Sequence, residues 1–286
     1  MKMNKNISTY MGFEDEYEES SLVIFGAPFD GTTSFRPGTR FGPMYARQEF
    51  YGLETYSPYL DLDLEDYLLF DGGDIELPFG NTDVALNMIY DFSKKIVCDG
   101  KIPFMVGGEH LVTYPSFKSV FEKYNDVVII HLDAHADLRE DYLGQKFSHA
   151  SVIRRAFDLI GKNRIYQFGI RSGEREEFNF AKENTYMEKF EVNTIDMIVN
   201  KIKNTPVYVT IDLDILDPSI FPGTGTIEPG GITFKEMMKA IKSISRLNIV
   251  GADVVELSPH YDSSGTSTAV ACKVIRELVL AVVSKK

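Results

Sequence analysis

Two short runs hold the side chains best suited to chemistry: Asp133-Ala134-His135-Ala136-Asp137 and Asp212-Leu213-Asp214. Each follows an apolar run that reads as a buried strand, Val127–Leu132 and Val207–Ile211. Side chains two apart on a strand face the same way. The spacing therefore predicts that Asp133, His135 and Asp137 converge on one point, and that Asp212 and Asp214 do the same. Unpaired carboxylates at the end of a buried strand repel one another and lose solvation. Divalent cations relieve both penalties, and two clusters of this richness predict a site with two metals rather than one.

Histidine is scarce, five in 286 residues, and His110, His131, His135 and His149 fall within one span. His110 follows Gly107-Gly108-Glu109, and His135 sits between two aspartates, so both read as ligands. His131 shares a face with Asp133 but lies deeper in its strand, and reads as a supporting or core residue. His260 follows Glu256 in a loop and reads as a surface residue near the pocket. The ligand set is then His110, Asp133, His135, Asp137, Asp212 and Asp214. Such a set is richer in oxygen than the Cys and His of structural zinc sites. It suits Mn²⁺, with Zn²⁺, Co²⁺ or Fe²⁺ as substitutes, whereas a structural Ca²⁺ site would rarely use two histidines. Six side chains fill two coordination shells only if carboxylates bridge, which holds the ions about 3.5–4 Å apart and lets them share one water.

The elements that must position these residues alternate along the chain. Apolar, β-branched or aromatic runs predict strands at Leu22–Phe25, Tyr67–Phe70, Ile102–Val106, Val127–Leu132, Ile165–Phe168, Val207–Ile211 and Ile249–Val255, with an eighth near Lys189–Val192. Amphipathic stretches predict helices around Asp83–Cys98, Tyr114–Lys123, Ala150–Ile160, Asn193–Asn204, Phe234–Ser245 and Gly265–Ser284. This alternation signals an α/β fold, a three-layer αβα arrangement with a central, mostly parallel sheet of about eight strands. Sites in such sheets form outside the carboxyl ends of the strands. Glu109-His110, Asp133–Asp137, Arg171, Asp212 with Asp214, and Glu256 each follow or end a predicted strand. No linker or repeat interrupts the pattern, so residues 1–286 read as one domain.

Composition sets further bounds. A chain 44% hydrophobic and 25% charged is globular. Its net charge of -12 argues against nucleic acid and agrees with a cationic substrate or divalent metals. Cys98 and Cys272 are isolated, as in a reducing compartment. The N-terminal stretch Met1–Glu19 is polar, and the run Leu278–Val283 is far too short to cross a bilayer. A cytoplasmic protein with no membrane partner is expected.

Several collinear motifs spanning nearly the whole chain resemble one family, the ureohydrolases (arginase, agmatinase and relatives). They are Gly26-Ala27-Pro28-Phe29-Asp30, residues 34–43, Gly107-Gly108-Glu109-His110, the Asp133–Asp137 run, residues 211–218, Gly223-Thr224-Gly225-Thr226 and Val255-Glu256-Leu257-Ser258-Pro259. The resemblance implies an arginase-like fold, with His110, Asp133, Asp137 and Asp212 on one Mn²⁺ and His135, Asp133, Asp212 and Asp214 on the other. Asp133 and Asp212 would bridge. It also implies a small guanidine as substrate, with Glu256 holding the planar guanidinium through paired hydrogen bonds, His149 carrying a proton to the leaving amine and Thr226 lining the substrate site. Glu256 could instead be a strand-end glutamate or the partner of an arginine, and His149 a helix cap, a task Ser148 would do better.

Within the family, the loop Leu138–His149 and the stretch Pro222–Gly231 look like bacterial agmatinases rather than arginases. Ile227 departs from that pattern, where proline is usual, and Glu174 stands near the place where arginases carry an acidic group. The implied reaction is agmatine plus water to putrescine plus urea, a step of polyamine biosynthesis. The alternatives are guanidinobutyrase, arginase or, from another class, a non-catalytic metal-binding protein. Trimers and hexamers are usual among similar proteins, so a homo-oligomer is expected.

Overall fold

The computed structural model describes Met3, Asn6 and residues 8–285, so the polar stretch Met1–Glu19 lies partly outside the described residues. Eight strands form one sheet: β1 (Leu22–Ala27), β4 (Leu69–Asp74), β5 (Ile102–Gly107), β6 (Val128–Leu132), β7 (Ile165–Ile170), β8 (Tyr186–Lys189), β9 (Pro206–Asp212) and β10 (Asn248–Val255). Their spatial order is β4-β1-β5-β10-β9-β6-β7-β8, and every pairing is parallel. A two-strand antiparallel pair, β2 (Tyr56–Ser57) and β3 (Leu62–Asp63), stands apart from it.

Strand side chains alternate between two covered faces, as the pleat requires. Val207, Val209 and Ile211 of β9 join one apolar cluster with helices α6 (Ile195–Ile202), α7 (Phe234–Ile244) and α8 (Thr266–Val283). Tyr208, between them, points to the other face, into a cluster with α3 (Thr113–Lys123) and α4 (Val152–Ile160). Helix α2 (Thr82–Cys98) covers the β1 end of that second face through Ala85, Leu86, Ile89, Phe92 and Ile96. These are the expected three layers. Helix α8 is apolar nearly all round and buried along almost its whole length, as a core helix should be. No helix among the described residues is long and apolar enough to cross a membrane.

Three features differ from the sequence expectation. The eighth strand pairs at Tyr186–Lys189 rather than Lys189–Val192. Phe190 takes a left-handed backbone, φ 65°, and turns the chain out of the sheet. Two helices carry too weak an apolar stripe to be read from periodicity: α1 (Gly42–Glu49), which opens on Gly42-Pro43, and α5 (Arg175–Asn184), which buries only Glu177, Ala181 and Asn184.

The double glycine before His110 has a steric cause. A Cβ on Gly108 would stand 1.9 Å from the carbonyl oxygen of Phe29. Gly108 N–H donates to Ala27 O at 2.8 Å, Glu109 N–H to Phe29 O at 2.7 Å, and Glu256 N–H to Gly108 O at 2.9 Å. Glycine here lets the ends of β1, β5 and β10 close on one another. Gly108→Ala should lower unfolding free energy by at least about 1–3 kcal/mol in denaturant titration. Gly52→Ala, where a Cβ meets nothing within 4 Å, should change it by less than about 0.5 kcal/mol. Equal effects would remove the close-approach argument.

Candidate metal centre and substrate cavity

Strands β5, β10, β9 and β6 are neighbours in that order. Because they are parallel, their carboxyl ends deliver His110, Glu256, Asp212 with Asp214, and Asp133 to one edge. The Asp133–Asp137 segment converges for a reason other than strand alternation, since β6 ends at Leu132. Arg171 and Ser172 donate backbone N–H groups to Ala134 O, and Ala136 N–H donates to Ser172 O. Asp137 then takes φ 53°, and Glu256 takes φ 68°. Left-handed backbone outside glycine costs on the order of 1–3 kcal/mol and concentrates at functional sites.

The six predicted ligands come together. His110 Nδ1 lies 3.0 Å from Asp133 Oδ2, 3.2 Å from Asp137 Oδ2 and 3.3 Å from Asp212 Oδ2. His135 Nδ1 lies 2.9 Å from Asp214 Oδ2 and 3.6 Å from Asp133 Oδ1. The two oxygens of Asp133 therefore face different histidines. Asp212 Oδ1 accepts from Asp214 N–H at 2.9 Å, which leaves Oδ2 for the His110 side. His110 Nδ1 and Asp214 Oδ2 are buried without a hydrogen-bond partner, although buried polar atoms nearly always have one. A cation beside each would satisfy it, one on the His110 side and one on the His135 side.

His131 also stands within ligand range of His110, Asp133 and Asp137, yet its proton is committed. Gln167 Nε2 donates to Ala136 O at 2.8 Å and to His131 Nδ1 at 3.1 Å, while Gln167 Oε1 accepts from Thr185. His131 Nε2 therefore carries the hydrogen and donates it to Asp133 Oδ2 at 2.7 Å. It orients Asp133, the supporting role read from sequence.

Electrostatics agree with an edge built to gather positive charge. Burial and the charge of Asp133 push Asp137 up to about 7. Burial, Asp214 and Asp133 raise Asp212, and burial with Glu109 raises Glu256. Burial opposes the charging of His110, but Asp133, Asp137 and Asp212 outweigh it and hold the imidazole well above its usual range. Glu109 accepts from Thr32 and Thr33, and burial lifts it to about 7.

A cavity of about 280 Å³ opens over this edge, lined by His110, His135, Asp137, Asp212, Glu256, His149, Thr226 and Ser34, and also by Arg139, Tyr142, Glu174 and Glu177. Glu256 Oε1 accepts from His110 N–H at 2.7 Å. Ser148 and Ser151 form the helix cap, which leaves His149 free of that task. His149 Nε2 lies 3.3 Å from Ser34 Oγ, its Nδ1 is buried and unpartnered, and burial, reinforced by His135 and Arg139, lowers it to about 4. Arg139 lies over the Tyr142 ring and pairs with Glu174 at 3.1 Å and Glu177 at 3.5 Å. Lys146 is exposed and does not line the cavity. His260 stacks edge-on against Phe41 and Tyr45 at the surface and also lies outside the lining. Arg171 donates to the carbonyls of Gly169, Asp214, Ile215 and Glu228, so it braces loops.

A model of the Arginase family matches residues 20–281. The chain belongs to the arginase family. Among curated relatives, the agmatinase of Bacillus anthracis is 52% identical over 270 residues, covering 92% of each chain. The agmatinase of Bacillus subtilis (strain 168) is 49% identical over 275 residues, covering 95% of each. A crystal structure of a Clostridium difficile protein described as a candidate agmatinase superposes with a TM-score of 0.93 at 57% identity, covering 94% of this chain and 99% of that one. The arginase-family fold and the His/Asp cluster together suit a binuclear metal site.

Sequence reasoning passed over Thr210 and Asp253, buried polar residues inside apolar strands β9 and β10, although a charge within such a run is itself a signal. Glu228, noticed only as part of a loop, accepts from Ser172 Oγ at 2.9 Å and lies 4.0 Å from His135 Nε2. The resemblance implies that Asp133 and Asp212 both bridge, but here Asp133 turns one oxygen to each histidine while Asp212 Oδ1 is held by Asp214 N–H, so Asp133→Ala should reduce bound divalent metal at both positions, and Asp137→Ala at one. Metal content per chain after dialysis measures this, and equal loss in the two variants would contradict the shared role of Asp133.

Proposed function

We propose that this arginase-family chain is a cytoplasmic agmatinase, a single ureohydrolase domain that converts agmatine and water to putrescine and urea with two Mn²⁺ per chain. The observation that supports the reading is the cavity, whose lining joins Glu256, a carboxylate suited to a guanidinium, to residues of the His/Asp cluster and to Glu174 and Glu177. Kinship with the two Bacillus agmatinases supports the substrate. The ligands in this reading are His110, Asp133, His135, Asp137, Asp212 and Asp214, whose four carboxylates and two imidazoles suit Mn²⁺. Putrescine formation places the reaction in polyamine synthesis. The free cysteines Cys98 and Cys272 fit a reducing cytoplasm, and assembly as a trimer or hexamer follows from the family resemblance.

When bound, the metal pair supplies water acidified for attack at neutral pH. The protein's own residues do the rest. Glu256, held by His110 N–H, receives the planar guanidinium and fixes its carbon over the cluster. Thr226 lines the same cavity as a substrate contact. Both water protons end on the amine that becomes putrescine. His149, neutral at pH 7 because its environment disfavours charge, can accept one of them and pass it to the leaving nitrogen.

Arginine and agmatine differ only at the end far from Glu256. Among the described residues that line the cavity, the one lysine or arginine is Arg139, and it is already matched by Glu174 and Glu177. An α-carboxylate arriving there would face two glutamates and lose solvation without a free partner. The value of kcat/KM for agmatine should exceed that for arginine by at least about a hundredfold. Urea release from a panel of agmatine, arginine and 4-guanidinobutyrate tests the assignment. Comparable rates, or a preference for either carboxylate-bearing guanidine, would overturn it.

A further inference from the structure

Beneath the cluster, a chain of buried polar side chains runs down into the sheet. His110 Nε2 lies 2.8 Å from Thr210 Oγ1. Thr210 Oγ1 donates to Asp253 Oδ1 at 2.6 Å, and Tyr208 OH donates to Asp253 Oδ2 at 2.7 Å. Thr210 on β9 and Asp253 on β10 are paired across the sheet, so strand register fixes their contact. Asp253, Thr210 and Tyr208 have no exposure, and His110 has 1%. Nothing in the reaction outlined above uses Asp253, yet a carboxylate at the centre of a parallel sheet is expensive to bury.

The direction of the hydrogens follows from donor arithmetic. An ionised carboxylate only accepts, and a threonine hydroxyl has one hydrogen to give. That hydrogen goes to Asp253, so Thr210 Oγ1 must accept from His110, and Nε2 is the protonated nitrogen. With Nε2 committed to Thr210, Nδ1 is the nitrogen whose lone pair a metal would take in place of a proton, and it is the buried atom that faces Asp133, Asp137 and Asp212. Reversing the chain would place an N–H at Nδ1 and close that position to a cation.

We propose that Asp253 is a positioning residue which, through Thr210, sets the tautomer of His110 and keeps Nδ1 available as a metal ligand. This rests on the binuclear reading above and extends it two side chains into the core. The effect is one-sided, because no hydrogen bond among the described residues links His135, on the other half of the cluster, to Asp253. Removing the carboxylate or the hydroxyl should weaken the ion beside His110 by roughly 10–100-fold and leave the ion beside His135 in place.

The test is Mn²⁺ titration of the chelator-stripped full chain by calorimetry, with electron paramagnetic resonance to separate a coupled pair from a lone ion. Wild type, Asp253→Asn, Thr210→Val and Thr210→Ser are compared. Wild type and Thr210→Ser should take two ions and give the coupled spectrum. Asp253→Asn and Thr210→Val should hold one ion tightly and show a lone-ion spectrum until Mn²⁺ is raised about 10–100-fold. Thr210→Val, nearly isosteric, carries the test if Asp253→Asn does not fold. Two ions bound with wild-type affinity in Thr210→Val would overturn the proposal while leaving the binuclear site standing. Equal weakening of both ions together with a lower melting temperature of the stripped chain would reduce Asp253 to a structural role. A wild-type chain that took up no ion pair would overturn the binuclear reading and this proposal with it.

Discussion

The structure depends on one electrostatic constraint. Four aspartates and a glutamate are buried together at the edge of the sheet, where each ionised carboxylate loses solvation worth several kcal/mol. No lysine or arginine among the described residues forms an ion pair with any of the five. The imidazoles of His110 and His135 are pulled towards protonation, while Asp137, Asp212 and Glu256 resist ionisation. A group of acids in that state binds positive charge avidly, whether protons or cations. The remaining features of the edge follow from holding these acids together beneath an open cavity.

Parallel topology meets that constraint economically. Only in a parallel sheet do four neighbouring strands end on the same side, so β5, β10, β9 and β6 can contribute one cluster without long loops. Local geometry then sets each side chain. Gly108 allows the strand ends to touch, left-handed turns at Asp137 and Glu256 aim their carboxylates inward, and Arg171 ties the carbonyls of the surrounding loops. Helices on both faces keep water from the strands beneath, which strengthens every interaction at the edge. In the same cavity lining, Glu174 and Glu177 pair with Arg139.

Most of this is legible in the chain because charged groups rarely cluster at the end of a buried strand unless they bind something there. Asp133, His135, Asp137, Asp212 and Asp214 stand out against apolar neighbours, and seven strands read from hydrophobic runs fall in the sheet. The eighth is displaced because Phe190 and Val192 resemble strand residues, while a left-handed turn at Phe190 ends the pairing. Helix α5 escapes a reading by periodicity because its buried face includes Glu177 and Asn184, and Glu177 is satisfied by a partner distant in sequence. The Asp253–Thr210–His110 chain is hidden for a related cause. It depends on the register of β9 against β10, which no local pattern encodes.

The central claim is that this buried acidic edge is a seat for two metal ions. Anomalous diffraction at the manganese edge, from crystals of the full chain grown with Mn²⁺, addresses it directly. Two peaks about 3.5–4 Å apart are expected, one beside His110 Nδ1 and the other beside His135 Nδ1, with Asp133 between them. A single peak, or peaks away from these nitrogens, would contradict the account.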